Sequence, residues 1–192
     1  MLDLFYDGGW AMYPLLATLV FGLAVIFERF WALARASINT RKFLQNIKVA
    51  RRDEGITAAQ EMCANTRGPV ASIFHAGLVR VDRGLEQVEK AIENAGTIEM
   101  SFLEKGLVWL ATVANIAPML GFLGTVSGMI GAFASIAEAG DVNASIVASG
   151  ISEALITTAT GLAIAIPIQA AHNYFVSRVD RLIIDMEESA ND

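Results

Sequence analysis

Apolar positions in this chain follow two rhythms. In three stretches they run almost unbroken, over residues 8–27, 106–137 and 146–177, the last becoming continuously apolar from about Ala154. Each is long enough for a helix to cross a bilayer, which takes roughly 20 residues. Between the first and second stretches the rhythm is that of a half-solvated helix. From Val70, the positions Ile73, Leu78, Val81, Leu85, Val88, Ile92, Ile98, Phe102 and Leu103 keep a three-to-four spacing, with Glu and Lys interleaved. That pattern predicts one long helix running from Val70 directly into the second span. Before it, Asn39 to Asp53 reads as a basic amphipathic helix, Thr57 as the cap of a short helix ending at Asn65, and Gly68-Pro69 as a fresh start. After the third span, Val179, Leu182, Ile183 and Met186 continue one helical face through the tail, 178–192. No strand alternation occurs. The predicted fold class is all-α: an integral membrane protein with three transmembrane helices and long helices extending into the cytoplasm.

The second span carries a further pattern. Ala114, Ala117, Gly121, Gly124, Gly128, Gly131 and Ser135 recur at steps of three and four, a continuous seam of small side chains on a helix. In a membrane such a seam lets another helix approach closely. Gly150, Ala154, Thr158, Gly161 and Ala165 form a matching small face on the third span. The second span is also too long. Its 106–137 run would measure about 48 Å as a helix, against about 30 Å of hydrocarbon. The predicted continuation into the preceding helix places the excess on the side of the 28–105 segment.

Composition agrees with a membrane protein: 54% of residues are hydrophobic and mean hydropathy is +0.48. All fourteen Lys and Arg lie within 28–105 or at Arg178 and Arg181. The leader 1–7 and the connection 138–145 carry only acids. By the positive-inside rule the long segment and the C-terminus are cytoplasmic and the N-terminus is periplasmic, with the first span retained. Trp10 and Tyr13 stand where interfacial anchors belong. The net charge of −6 is dispersed over helical faces and gives no nucleic-acid surface. Cys63, the single cysteine, excludes an internal disulfide and is read as a small buried residue. His75 and His172 are read as structural. No nucleophile, phosphate cradle or metal motif is present, which argues against an enzyme and against a bound cofactor.

The candidate chemistry lies in hydroxyls and one acid. Thr125 and Ser127 sit inside the second span, and Glu153, Thr157 and Thr160 fall on one face of the third. An intramembrane carboxylate is a functional candidate because burying it unpaired costs several kcal/mol. Two plainer readings stand beside it: Glu153 at the outer interface in water, and threonines that bond back to carbonyls one turn earlier.

Two motifs carry a family resemblance. The stretch Ile116-Ala-Pro-Met-Leu-Gly-Phe-Leu-Gly-Thr125-Val-Ser-Gly128-Met-Ile resembles the second-helix signature of the ExbB/TolQ/MotA ion-driven motor subunits. The stretch Glu153-Ala-Leu-Ile-Thr-Thr158-Ala-Thr-Gly-Leu-Ala-Ile-Ala-Ile-Pro167 resembles their third. The order of spans matches too, nearer to ExbB and TolQ than to MotA. The resemblance implies a homopentamer in the bacterial inner membrane, in contact with membrane lipids. That ring would surround two copies of an ExbD/TolR-like single-span partner with a membrane Asp, and would act on a TonB- or TolA-like protein. It also implies that Thr125 and Thr158 line the ion route, with Glu153 at the head of the third helix. Pro118 and Pro167 match helix-bending prolines.

The transported ion is expected to be H+. Sodium is the alternative, with Thr157, Thr158, Thr160 and a carbonyl freed near Pro167 as oxygen ligands. An ExbB-like energiser of TonB-dependent transport is the leading expectation. A TolQ-like or gliding motor subunit is the neighbouring one, and a passive scaffold or simple cation channel the competing class.

Overall fold

The computed structural model describes residues 2–36, 40–139 and 144–191, which form helices and turns with no strand among them. Eight α-helices follow one another: α1 (Leu2–Asp7), α2 (Met12–Ala36), α3 (Thr40–Asp53), α4 (Ile56–Asn65), α5 (Pro69–Leu78), α6 (Leu85–Glu104), α7 (Leu107–Ala139) and α8 (Ala144–Asn191), with one 3-10 turn at Val81–Arg83. Three helical stretches, carried by α2, α7 and α8, are long and apolar enough to cross a membrane. Contacts divide the chain into two units. One holds residues up to Phe27 together with Gly106–Asn173, and the other holds Glu28–Lys105 with the chain from Tyr174 onward.

The first unit is inside-out relative to a water-soluble bundle. Its buried positions are mostly small or aliphatic, among them Ala11, Leu15, Ala114, Ala117, Ala154, Ala165 and Ile168. Its exterior displays Val20, Phe21, Phe27, Met119, Phe122, Ile130, Phe133, Leu155 and Ile166, each largely exposed. In water such a surface would aggregate, whereas against lipid it costs nothing, and association then depends on close packing. Pro118 and Pro167 both lie within helices that continue past them. Each removes one backbone N–H from the ladder without ending the helix.

In the second unit α3 packs on α4, α4 on α5, and α5 on α6. Its core includes Leu33, Phe43, Ile47, Cys63, Val70, Ile73, Ala91, Leu103, Phe175, Val179 and Met186. Gly77 lets α5 approach α6, where a Cβ would stand 3.1 Å from Ile92. Phe43 and Phe74 meet edge to face at 6.5 Å. Cys63 is 2% exposed, and burial pushes its thiol up to about 11, leaving it unreactive at neutral pH.

The long helix predicted from Val70 into the second span is instead three helices. α5 ends at Leu78, and α6 begins after Gly84, whose φ of +93° strains any L-residue. Val81, Leu85, Ile98 and Phe102, all on the predicted apolar face, are exposed. A second break falls at Lys105–Gly106, where Gly106 takes φ +106° and its carbonyl accepts from Trp109 and Leu110 to begin α7. Thr57 does not cap α4. Gly55 holds that position without a side-chain bond.

A candidate ion route between two small-faced helices

The small faces of α7 and α8 meet each other within the chain. A Cβ on Gly161 would lie 2.6 Å from the Ala117 carbonyl oxygen and 3.1 Å from Gly121 Cα. On Gly121 it would lie 2.9 Å from the Thr157 carbonyl oxygen, and on Gly128 3.2 Å from that of Gly150. At Gly161 and Gly121 these are backbone-to-backbone approaches that only hydrogen can occupy, and at Gly128 the approach is tight. Gly124 leaves room for the Thr157 side chain, whose hydroxyl would stand 2.6 Å from an added Cβ. Gly131 is different: among the described residues, nothing beyond its own stretch of helix lies within 4 Å of the position of its Cβ, although the next residue, Ala132, still packs against Gly150.

This close approach brings Thr125 and Thr158 together. Their hydroxyls share a short hydrogen bond across the two helices. Each also lies 3.2 Å from the Gly121 carbonyl oxygen, and Thr125 lies 3.4 Å from that of Ala154. Two hydroxyls own two protons. If one donates to its partner and the partner donates to a carbonyl, a lone pair remains on the first to accept an incoming proton. Both side chains are half-buried, so the pair keeps an open side.

The other predicted site residues are placed separately. Thr157 is fully buried in the seam, and its hydroxyl donates to the Ala154 carbonyl at 2.9 Å. Thr160 donates to Ile156 at 2.8 Å. The three threonine hydroxyls of α8 therefore engage different groups and do not converge on one point. Glu153 is half-buried at one edge of a cavity of about 600 Å³, lined also by Ser127, Gly131, Ser135, Ser145 and Ser149. Among the described residues no hydrogen bond reaches its carboxylate.

One contact was not legible in the sequence. Trp10 Nε1 donates to Ser127 Oγ at 2.9 Å, across 117 positions. It sets Ser127 level with Trp10 and leaves α7 to continue from there to Ala139, about 18 Å further. Only the anchor-like placement of Trp10 hinted at such a level. Among the described residues, no group of three His, Cys, Asp or Glu side chains stands close enough to hold a metal ion.

The MotA/TolQ/ExbB proton channel family matches residues 65–188, a stretch that includes the Thr125–Thr158 pair and both glycine faces. The chain belongs to this family. A putative biopolymer transport protein ExbB homolog of Methanothermobacter thermautotrophicus is 31% identical over 188 residues, covering 97% of this chain and 67% of the relative. The biopolymer transport protein ExbB of Xanthomonas campestris is 43% identical over 99 residues, 52% of this chain and 39% of that protein. The Tol-Pal system protein TolQ of Pseudomonas aeruginosa is 38% identical over 125 residues, 59% of this chain and 54% of its own length. None of these names denotes a reaction. Membership in a membrane family agrees with the three apolar helices and with an inner-membrane location.

Proposed function

We propose that this chain is the ring subunit of an inner-membrane motor, ExbB-like, in which protons pass the Thr125–Thr158 pair and drive work on a periplasm-spanning, TonB-like protein. The observation that carries this reading is the pair itself: two bonded hydroxyls with an open side, set in an otherwise apolar helix pair. Such a pair relays a proton but stores none. Between Thr125 and the inner end of α7 the chain offers no carboxylate, so the group that alternates between charged and neutral must come from a partner. A single-span, ExbD-like protein with a membrane Asp, two copies within a pentamer of this chain, supplies it. Crossing 100 mV gives about 2.3 kcal/mol per charge, which the partner's acid converts stepwise into motion.

Protons fit better than sodium. A sodium ion needs several oxygens converging on one point, and the hydroxyls of Thr157, Thr158 and Thr160 diverge. In this reading the N-terminus and the 138–145 connection are periplasmic, and the 28–105 segment and the tail are cytoplasmic. Glu153 and Thr160 border the route, while Thr157 holds the seam. A TolQ-like subunit pulling a TolA-like protein is the second reading, supported by the Pseudomonas aeruginosa likeness over 125 residues.

The test is proton uptake into vesicles carrying the purified complex, with and without the partner. Uptake should require the partner and stay unchanged when sodium is replaced by potassium. Uptake by this chain alone would identify a simple channel, and uptake that follows sodium would overturn the proton assignment.

A further inference from the structure

We propose that the Gly8–Trp10 turn is a clasp that links α7 at Ser127 to α8 at Glu153 and sets Glu153 at the rim of the polar cavity, which makes Trp10 a positioning residue for ion entry. Three observations converge on this turn. The first is the Trp10–Ser127 bond. An indole N–H can only donate, and Ser127 is oriented to accept. The other hydroxyl side chains of α7, Thr112, Thr125 and Ser135, each lie within hydrogen-bond distance of the carbonyl four residues earlier. Ser127 instead accepts from Trp10 in the turn before α2.

The second observation is on α8. Gly9 takes φ +64°, and a Cβ there would lie 2.1 Å from Glu153 Oε1. The carboxylate rests against a main chain that only glycine keeps clear. Next to it, a Cβ on Gly8 would lie 3.2 Å from Ile156. The turn thus touches α7 through Trp10 and α8 through Gly8 and Gly9. The third is what lies beneath it: Ser127 and Glu153 both line the same cavity of about 600 Å³. Ala11, Met12 and Leu15, at most 7% exposed, seat the following turn of α2 firmly. A half-exposed tryptophan that served only as an interfacial anchor would need no particular serine.

The clasp rests on the ion-route reading for its purpose but not for its test, which reads cavity access on the chain itself. A single cysteine is placed at Ala132, a cavity residue only 8% exposed with the turn in place, in a Cys63→Ala background. Its labelling by a membrane-impermeant methanethiosulfonate is timed in native membranes for the parent, W10F, S127A and the W10F/S127A double variant. Each single substitution should speed labelling about fivefold, the population shift that one lost hydrogen bond supplies, and the double variant should add nothing. Unchanged labelling in W10F would reduce Trp10 to an anchor. Effects that multiply in the double variant would show that the two residues act separately, and either result overturns the clasp. Neither result bears on the motor reading, which partner-dependent proton uptake tests independently.

Discussion

Gly161→Ala is expected to lower the melting temperature of the detergent-solubilised protein by about 2–12 °C, and Gly161→Leu to prevent its accumulation in membranes. The added Cβ would meet the Ala117 carbonyl oxygen at 2.6 Å and Gly121 Cα at 3.1 Å. Both are backbone atoms of α7, so no side chain can rotate away. The helices must part along the seam, at the 1–3 kcal/mol typical of overpacking, and a chain of this size loses about 2–4 °C per kcal/mol. Parting also stretches the Thr125–Thr158 bond. Gly131→Leu is the internal control. Its Cβ position is empty to 4 Å, so folding of the single chain should be unaffected. Equal melting of Gly161→Ala and the parent would mean that the seam is looser than these distances require.

Thr158→Val should abolish ion-driven activity, by about a hundredfold, while leaving the oligomer intact. Valine keeps the shape of threonine and removes only the hydroxyl. Thr125 would still donate to Gly121 or Ala154, but no second hydroxyl would stand beside it to pass the proton along. A positioned proton-transfer group contributes about 10²–10⁴ in rate, which sets the expected size. Thr158→Ser keeps the oxygen and should retain most activity, and Thr125→Val should resemble Thr158→Val. Thr157→Val offers the contrast. Its hydroxyl is closed inside the seam on the Ala154 carbonyl, so its loss should cost stability more than transport. Full activity in Thr158→Val would remove the pair from the ion route.

How far the sequence could be read depends on which interactions were local. The three spans and the all-helical class follow from run length alone. The two breaks at 79–84 and 105–106 do not, because apolar spacing persists through both while the backbone is turned by Gly84 and Gly106. The stripe of small residues was visible on α7, but a stripe does not say which helix covers it. Most of it is used against α8 of the same chain, leaving Gly131 open. Adjacent threonines show the same difficulty at finer scale. Thr157 and Thr158 differ by about 100° on the helix, and only the register between α7 and α8 decides that Thr157 fills the space at Gly124 while Thr158 meets Thr125. The sequence position of Glu153 fits either the membrane interior or a wet interface, and the side chain borders a serine-lined cavity. The Trp10–Ser127 bond joins residues 117 apart, beyond the reach of any periodicity.

The measurement that bears most directly on the central claim is native mass spectrometry of the chain in detergent, co-expressed with the ExbD-like single-span protein of the same genome. A pentamer of this chain retaining two partner copies is the predicted result, because a hydroxyl pair without a titratable acid needs that partner to do work. A monomer or dimer that ignores every such partner would contradict the motor assignment and leave the paired glycine faces as the framework of a passive scaffold.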